Sequence, residues 1–288
     1  MLFHRVKGEF YLLFATIFAA IGWLAAKMVL IEMPSGAFIG GRFILASLLL
    51  LPFCYKKIIQ LSLNMSAKAF AIGLLLAASI HIWVHAVHIA ASLSEGAFIM
   101  SLAMIIAPLT RWLIFKNVPN GAFWLSLPFA ILGMILLTLN SGWKIESSQW
   151  YFLLSSGLLS IHFVLNKRLS EEIEPLSSIC VQMGIVGITG VIAYWLSGEE
   201  GVSLSNSSIM WFLLSVLVAT SLRYLAQTVG QYTVKIENSS LIMILEPVWT
   251  LVLSIVLLDE SLNIQKLLGS SIIILSLCIY ILLSRKHS

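Results

Sequence analysis

The chain has 288 residues, of which 59% are hydrophobic and only 10% charged, well below the roughly 25% charged residues of a soluble domain. So few charges cannot cover a water-facing surface, which excludes an ordinary soluble domain and reads as an integral membrane protein. The net charge of +4 does not point to nucleic acid, because the lysines and arginines concentrate between apolar runs, as in juxtamembrane loops.

A spanning helix needs about 20 mostly apolar residues. Apolar runs of that kind lie at roughly 9–30, 37–55, 68–91, 96–115, 121–140, 150–169, 176–196, 208–229, 239–258 and 263–284, which predicts ten spans and an all-α membrane fold. Arg5 and Lys7 precede the first run as in a signal peptide, but its length and a later copy of its pattern argue that it is retained. With the N-terminus inside, inner segments hold Arg5, Lys7, Lys56, Lys57, Lys68, Lys116, Lys167, Arg168, Lys235, Arg285 and Lys286, and outer ones only Lys144 and Lys266. Both termini are therefore expected in the cytoplasm. Lys27, Arg42, Arg111 and Arg223 fall within apolar runs. Cys54, Cys180 and Cys278 are scattered, with no CxxC spacing, and read as packing residues.

The chain also repeats. GWLAAKMVL near position 22 precedes Pro34 and an apolar run, and HFVLNKRL near 162 precedes Pro175 and another. Residues 94–126 align without gaps on 237–269, so that Phe98-Ile99-Met100 meets Leu241-Ile242-Met243 and Asn120 meets Asn263. This divides the chain into repeats at 1–145 and 146–288. Five spans per repeat is odd, so the second enters the membrane from the opposite side. Inverted repeats of this kind suit secondary transport, with substrate held near the midplane.

These residues carry a resemblance. LEPVWTLVLSIVLLDESLNIQKLLGSSIIIL (245–275), with Glu-Pro in a helix, an acidic residue at Glu260 and Gly269 early in the last helix, is similar to the end-of-repeat pattern of the drug/metabolite transporter superfamily, EamA type. GEFYLLFATIFAAIGWLAAK and GGRFILASLLLLP fit as well, with Arg42 at the family's arginine position. The first half departs: Met104 stands where Pro247 has its equivalent, Pro108 lies one turn later, and Asn117 replaces Glu260. A shifted helix break is expected there. The resemblance implies a ten-helix transporter of the bacterial inner membrane. It would move a small polar metabolite, an amino acid or related compound, by efflux and alternating access, with proton coupling open.

Ionisable residues inside a span are expensive and so are functional candidates. Glu246 is foremost, beside Pro247, which lacks an N–H and disturbs the hydrogen bond one turn back. It binds a substrate amine or carries a coupling proton, or else it is a strut locked to an arginine. Arg111 and Arg223 are candidate partners for Glu246 or for an anionic substrate group, with snorkelling as the plain alternative. Arg42 is an anchor or a gate, and Pro108 and Pro247 are hinge candidates. Lys27 reads as snorkelling. Trp23, His162, Tyr224 and Trp249 are candidate cavity walls, although packing explains each alone. Gly184, Gly187 and Gly190 read as a close helix contact.

His81, His85 and His88 share one helix face, which Ser92 and Glu95 continue, while Trp83 and Ala86 point the other way. A stripe of this kind is expected to face protein or water rather than lipid, as the polar wall of an outward-facing cavity, with proton transfer as a further role to test. A metal site is disfavoured. His81 and His88 lie about 10.5 Å apart along the axis, and no second ligand cluster accompanies them. No cofactor or metal is expected, and the assembly is read as monomer or homodimer in the lipid bilayer. The alternative function is a membrane-embedded histidine metalloenzyme.

Overall fold

A computed structural model describes residues 2–116, 118–119, 121–139, 146–169, 172–198, 203–233, 242–243, 245–261 and 263–284. The helices are α1 (Leu2–Val29), α2 (Ser35–Ile59), α3 (Leu63–Ile89), α4 (Leu93–Ser101), α5 (Ala103–Phe115), α6 (Gly121–Leu139), α7 (Ser147–Leu169), α8 (Pro175–Ser197), α9 (Asn206–Val216), α10 (Arg223–Thr233), α11 (Leu245–Leu258) and α12 (Ile264–Ser284). A π-helical stretch, Leu217–Leu222, joins α9 to α10. With α4–α5 and α9–α10 each counted as one broken helix, the described residues form ten helical segments.

Short polar connections set the helix starts. Ser62, Ser92 and Ser205 cap α3, α4 and α9, each side chain accepting from the N–H three residues on, at 3.2–3.3 Å, which satisfies an otherwise orphaned donor. Pro175 occupies the first position of α8, where its missing N–H costs nothing. The bundle is apolar outside as well as inside: Phe53 is 73% exposed and Trp195 80%, as in a protein whose outer surface meets lipid.

The two repeats are exchanged rather than juxtaposed. The second helices, α2 and α8, pack antiparallel, as do the fifth, α6 and α12. α1 lies against α9–α10 and α11, the third and fourth spans of the other repeat, and α7 lies against α3 and α4–α5 in the same way. One core cluster accordingly runs through both repeats, from Trp23, Phe43 and Val84 to Phe152, Cys180 and Met183. Helix ends alternate between a proximal face, where α1 begins and α12 ends, and a distal face that carries the 30–34, 90–92 and 259–263 connections.

The α2–α8 seam is the tightest. A Cβ on Gly190 would stand 2.4 Å from the Gly40 nitrogen, and one on Gly187 would stand 2.7 Å from that of Ile44. Only glycine permits this approach. Gly184 does not share it, since its Cβ would meet only Ser47 Oγ, at 3.4 Å. Small polar side chains tie other helices together. Ser79 and Ser155 bond reciprocally across α3–α7, and Thr110 meets Ser160 at 2.8 Å.

One expectation is corrected here. The break in the fourth span does not shift to Pro108. It falls at Leu102, so α5 begins at Ala103. In the ungapped alignment Leu102 is the partner of Leu245, where α11 begins. Pro108 sits inside α5. It denies a donor to the carbonyl of residue 104, and the helix gives way just before that point. The side chains of Arg5, Lys7, Met104 and Lys167, and all of Asn117, Asn120, Lys144, Lys235, Leu241, Arg285 and Lys286, lie outside what is described.

Candidate functional site

Glu246 stands in the first turn of α11, directly before Pro247, whose missing N–H is harmless there. Its carboxylate reaches two other helices. Trp23 of α1 donates its indole N–H to Oε1 at 3.1 Å, and the Arg223 guanidinium of α10 approaches Oε2 at 3.5 Å. Both charged side chains remain about one-fifth exposed. The ion pair is long and partly wet, unlike a dry strut at the usual 2.7–2.9 Å. Trp23 is itself fixed, edge-on to Trp83 at 5.1 Å and tilted against Phe152 at 5.5 Å.

On the two helices that carry this pair, three buried polar atoms have no partner among the described residues. They are Nε of Arg223, Oε1 of Gln227 one turn further along α10, and Nε1 of Trp249 one turn further along α11. Unpaired buried groups are costly, so the unpartnered Arg223 Nε of this pair leaves a donor that a polar ligand can meet. Tyr224 packs its ring under its neighbour's guanidinium, 5.1 Å from Arg223 Cζ. Of the expected site residues, Trp23, Arg223, Tyr224 and Glu246 therefore assemble on α1, α10 and α11, with Trp249 one turn after Glu246 on α11. Gln227 was not anticipated, although it stands four residues after Arg223 on the same face of an apolar span.

Arg42 borders this group through the Trp83 ring, which also meets Trp23, and is held differently. It is buried, its Nε donates to Thr220 Oγ1 at 2.6 Å and one terminal nitrogen reaches the Ala219 carbonyl at 3.4 Å. The rings of Phe38, Phe43 and Trp83 lie 5.4–5.8 Å from its Cζ. Both oxygen partners belong to the π-helical stretch, where Thr220 and Ser221 return their hydroxyls to the carbonyls of Ser215 and Val216 five residues back. The arginine binds α2 to this local widening, a feature frequent at functional sites.

Other candidates are placed away from the cluster. His162 is buried, but its Nε2 is engaged by Gln182 at 2.7 Å, and Gln182 is in turn bonded to Asn166 and Ser178, a network between α7 and α8. Arg111 is exposed on α5 and Pro108 is internal to it, neither touching Glu246. Lys27 extends toward the distal end of the bundle. Its ammonium donates to the carbonyls of Val87, His88 and Ala90 and closes the C-terminus of α3, where a cation meets the negative end of the helix dipole.

The histidine face is the clearest reversal. Trp83, Val84, Ala86 and Val87 are the buried residues of this stretch, whereas His85 and His88 are exposed and His81 half-buried. The histidine part of the stripe is turned away from the core, while Ser92 and Glu95, which continue it in sequence, are buried. His81 bonds Thr189 at 3.2 Å, and His85 meets Tyr151 edge-on at 4.6 Å. Among the described residues no group of three or more His, Cys, Asp or Glu side chains is arranged to hold a metal ion.

Comparison with known proteins agrees with this architecture. Residues 6–139 and 147–282 each match the EamA-like transporter family, one match per repeat. No curated protein matches the chain. A solved structure described only as "Crystal structure of protein" superposes with a TM-score of 0.69 at 12% identity, covering 99% of this chain and 98% of its own. That likeness is one of fold.

Proposed function

The chain belongs to the EamA-like transporter family and is a membrane transporter of small molecules, and from this premise we propose that Arg223 and Glu246 are the substrate-binding pair for a small zwitterion of the amino-acid class. The observation that carries the proposal is the loose 3.5 Å pair itself, in which Arg223 Nε has no partner among the described residues. A zwitterion can replace each partner with the opposite charge of its own, ammonium to Glu246 and carboxylate to the planar guanidinium of Arg223. The site then stays neutral overall whether loaded or empty, which a low-dielectric interior requires. Trp23 orients the carboxylate and offers an aromatic wall.

The exchanged repeats support alternating access, because α1 with α10–α11 and α7 with α3–α5 form two equivalent groups that can rock against each other. The proximal face is cytoplasmic in this reading. Lys56, Lys57, Lys68, Lys116 and Arg168 lie at that end, against Lys27 and Lys266 at the distal one. The bacterial inner membrane and the efflux direction are part of the same proposal. Proton coupling enters through Glu246, whose protonation would release Arg223.

Counterflow in proteoliposomes tests this, with labelled amino acids, amines and organic acids offered in turn and with a pH gradient imposed or collapsed. Amino acids should exchange, Glu246→Gln should abolish exchange, and Glu246→Asp should keep part of it at an unchanged melting temperature. Full exchange by Glu246→Gln removes this residue from the mechanism. Uptake confined to organic acids rejects the zwitterion.

A further inference from the structure

A second ionic cluster lies at the distal face, outside the site above. The Lys266 ammonium, in the first turn of α12, reaches Glu95 Oε1 at 3.3 Å and Glu260 Oε1 at 3.4 Å. Glu260 also accepts from the Ser92 hydroxyl at 2.5 Å and from the Ser94 hydroxyl, while Gln149 of α7 donates to Glu95 at 3.1 Å. The Lys266, Glu95 and Glu260 side chains are 8–12% exposed. Asp259 adopts a left-handed conformation, φ 51°, that turns the chain after α11 and brings Glu260 in.

The cluster joins the beginning of α4 to the end of α11, so it clamps together the fourth spans of the two repeats. Outside it lies a cavity of about 580 Å³, lined by Lys27, Glu95, Glu146, Asp259, Glu260 and Lys266. Neither Trp23 nor Glu246 is among its walls. Glu246 stands twelve residues before the distal end of α11, roughly 18 Å deeper along the helix.

We infer that Lys266, Glu95 and Glu260 form the distal gate of the transport path, a latch that is shut in this structure and must part when the distal side opens. The inference rests on the alternating-access reading and adds gating residues to it. A shut latch holds two nearly dry carboxylates against one ammonium, the excess negative charge being met by the Ser92, Ser94 and Gln149 donors. An open one returns each of them to water, so neither state strands an unpaired buried ion. An opening that separates α4 from α11 at this end has to break the Lys266–Glu95 bridge and the Ser92 and Ser94 bonds to Glu260.

The test reads conformation, not flux, so its failure is distinguishable from failure of the substrate proposal. Leu93 lines the cavity yet is only 2% exposed. With Cys278→Ser as background, Leu93→Cys is labelled by a membrane-impermeant maleimide applied from the distal side. Lys266→Met should raise the labelling rate at least about tenfold, and Lys266→Arg should stay within about twofold of the parent. Ser94→Ala removes one latch bond without stranding a charge and should raise labelling about threefold, which keeps the test decisive where Lys266→Met does not fold. Labelling that is already fast in the parent, or unchanged in Lys266→Met and Ser94→Ala, overturns the gate.

Discussion

Gly190 and Gly184 lie on one helix and both turn toward α2, yet the same substitution should act on them with different sign. At Gly190 a methyl group would meet the Gly40 nitrogen at 2.4 Å, its Cα at 2.8 Å and the Ile39 carbonyl carbon at 2.9 Å. All three are backbone atoms of α2, so no rotamer change relieves the contact. Restoring the ordinary 3.4 Å separation moves the helices apart by roughly 1 Å, along a seam that carries Phe38, Phe43 and Met183. Overpacking costs about 1–3 kcal/mol, and with only backbone to yield, the upper end applies. Gly190→Ala should therefore destabilise by about 2–3 kcal/mol. At Gly184 the added methyl meets only Ser47 Oγ at 3.4 Å, and the hydrogen bond from Ser47 to the Cys180 carbonyl survives. Gly184→Ala should fall between zero and about 1 kcal/mol more stable, the gain shrinking as far as the denatured chain keeps its helices. Equilibrium unfolding by SDS titration in mixed micelles measures both. A Gly190→Ala protein as stable as its parent, or the same shift at both positions, would refute the reasoning.

Thr220→Val keeps the shape of the π-helical stretch but removes the oxygen that Arg42 Nε contacts at 2.6 Å. A lost bond to a buried charged donor costs about 2 kcal/mol, read in the same titration, and a neutral result would show that the three aromatic rings suffice. Trp23→Phe retains the ring contacts to Trp83 and Phe152 but not the N–H to Glu246. Apparent substrate affinity should fall about tenfold with stability little changed, measured by counterflow at graded substrate concentrations. At the proximal face, burial nudges the Glu174 carboxyl upward, but Lys57 and Ser177 outweigh it and hold its pKa below the ordinary 4.5. A depressed folded value means that this stabilisation is present above pH 4.5 and lost as pH falls through the lower folded value. Both partners are well exposed, so the effect stays under about 1 kcal/mol. The acid limb of a thermal-stability profile should flatten by that much in Lys57→Met.

The number of spans and the doubling of the chain were legible because hydropathy and short polar connections encode them directly. So were Glu246 and Arg223 as ionisable residues that an apolar span must place somewhere useful. The direction of a helix face was not. In α3 the side turned to the core and the side turned outward are both largely apolar, so periodicity could not say that Trp83 and Val87 face in while His85 and His88 face out. The latch was not legible either, because Glu95, Gln149, Glu260 and Lys266 come from separate segments and only the exchanged packing of the repeats brings them together. The break at Leu102 has no proline or glycine of its own, and Pro108 drew the expectation two turns too late. The π-helical stretch left only a faint sign, the Thr220-Ser221 pair ahead of Arg223 in an apolar run.

The exchanged pairing has a consequence for how the chain is made. α1 leaves the ribosome first, but the helices that cover its buried face, α9–α10 and α11, follow nearly two hundred residues later. At 5–20 residues per second this is a wait of roughly 10–40 s. During it Trp23 has no carboxylate, Arg42 has no π-helical stretch to grip, and α2 exposes its glycine groove without α8. The first repeat is an unfinished object for the whole of that interval, and its assembly belongs to the insertion machinery and the surrounding lipid until the second repeat arrives. Separately synthesised halves should therefore depend on each other for survival in the membrane, however alike they are in sequence pattern.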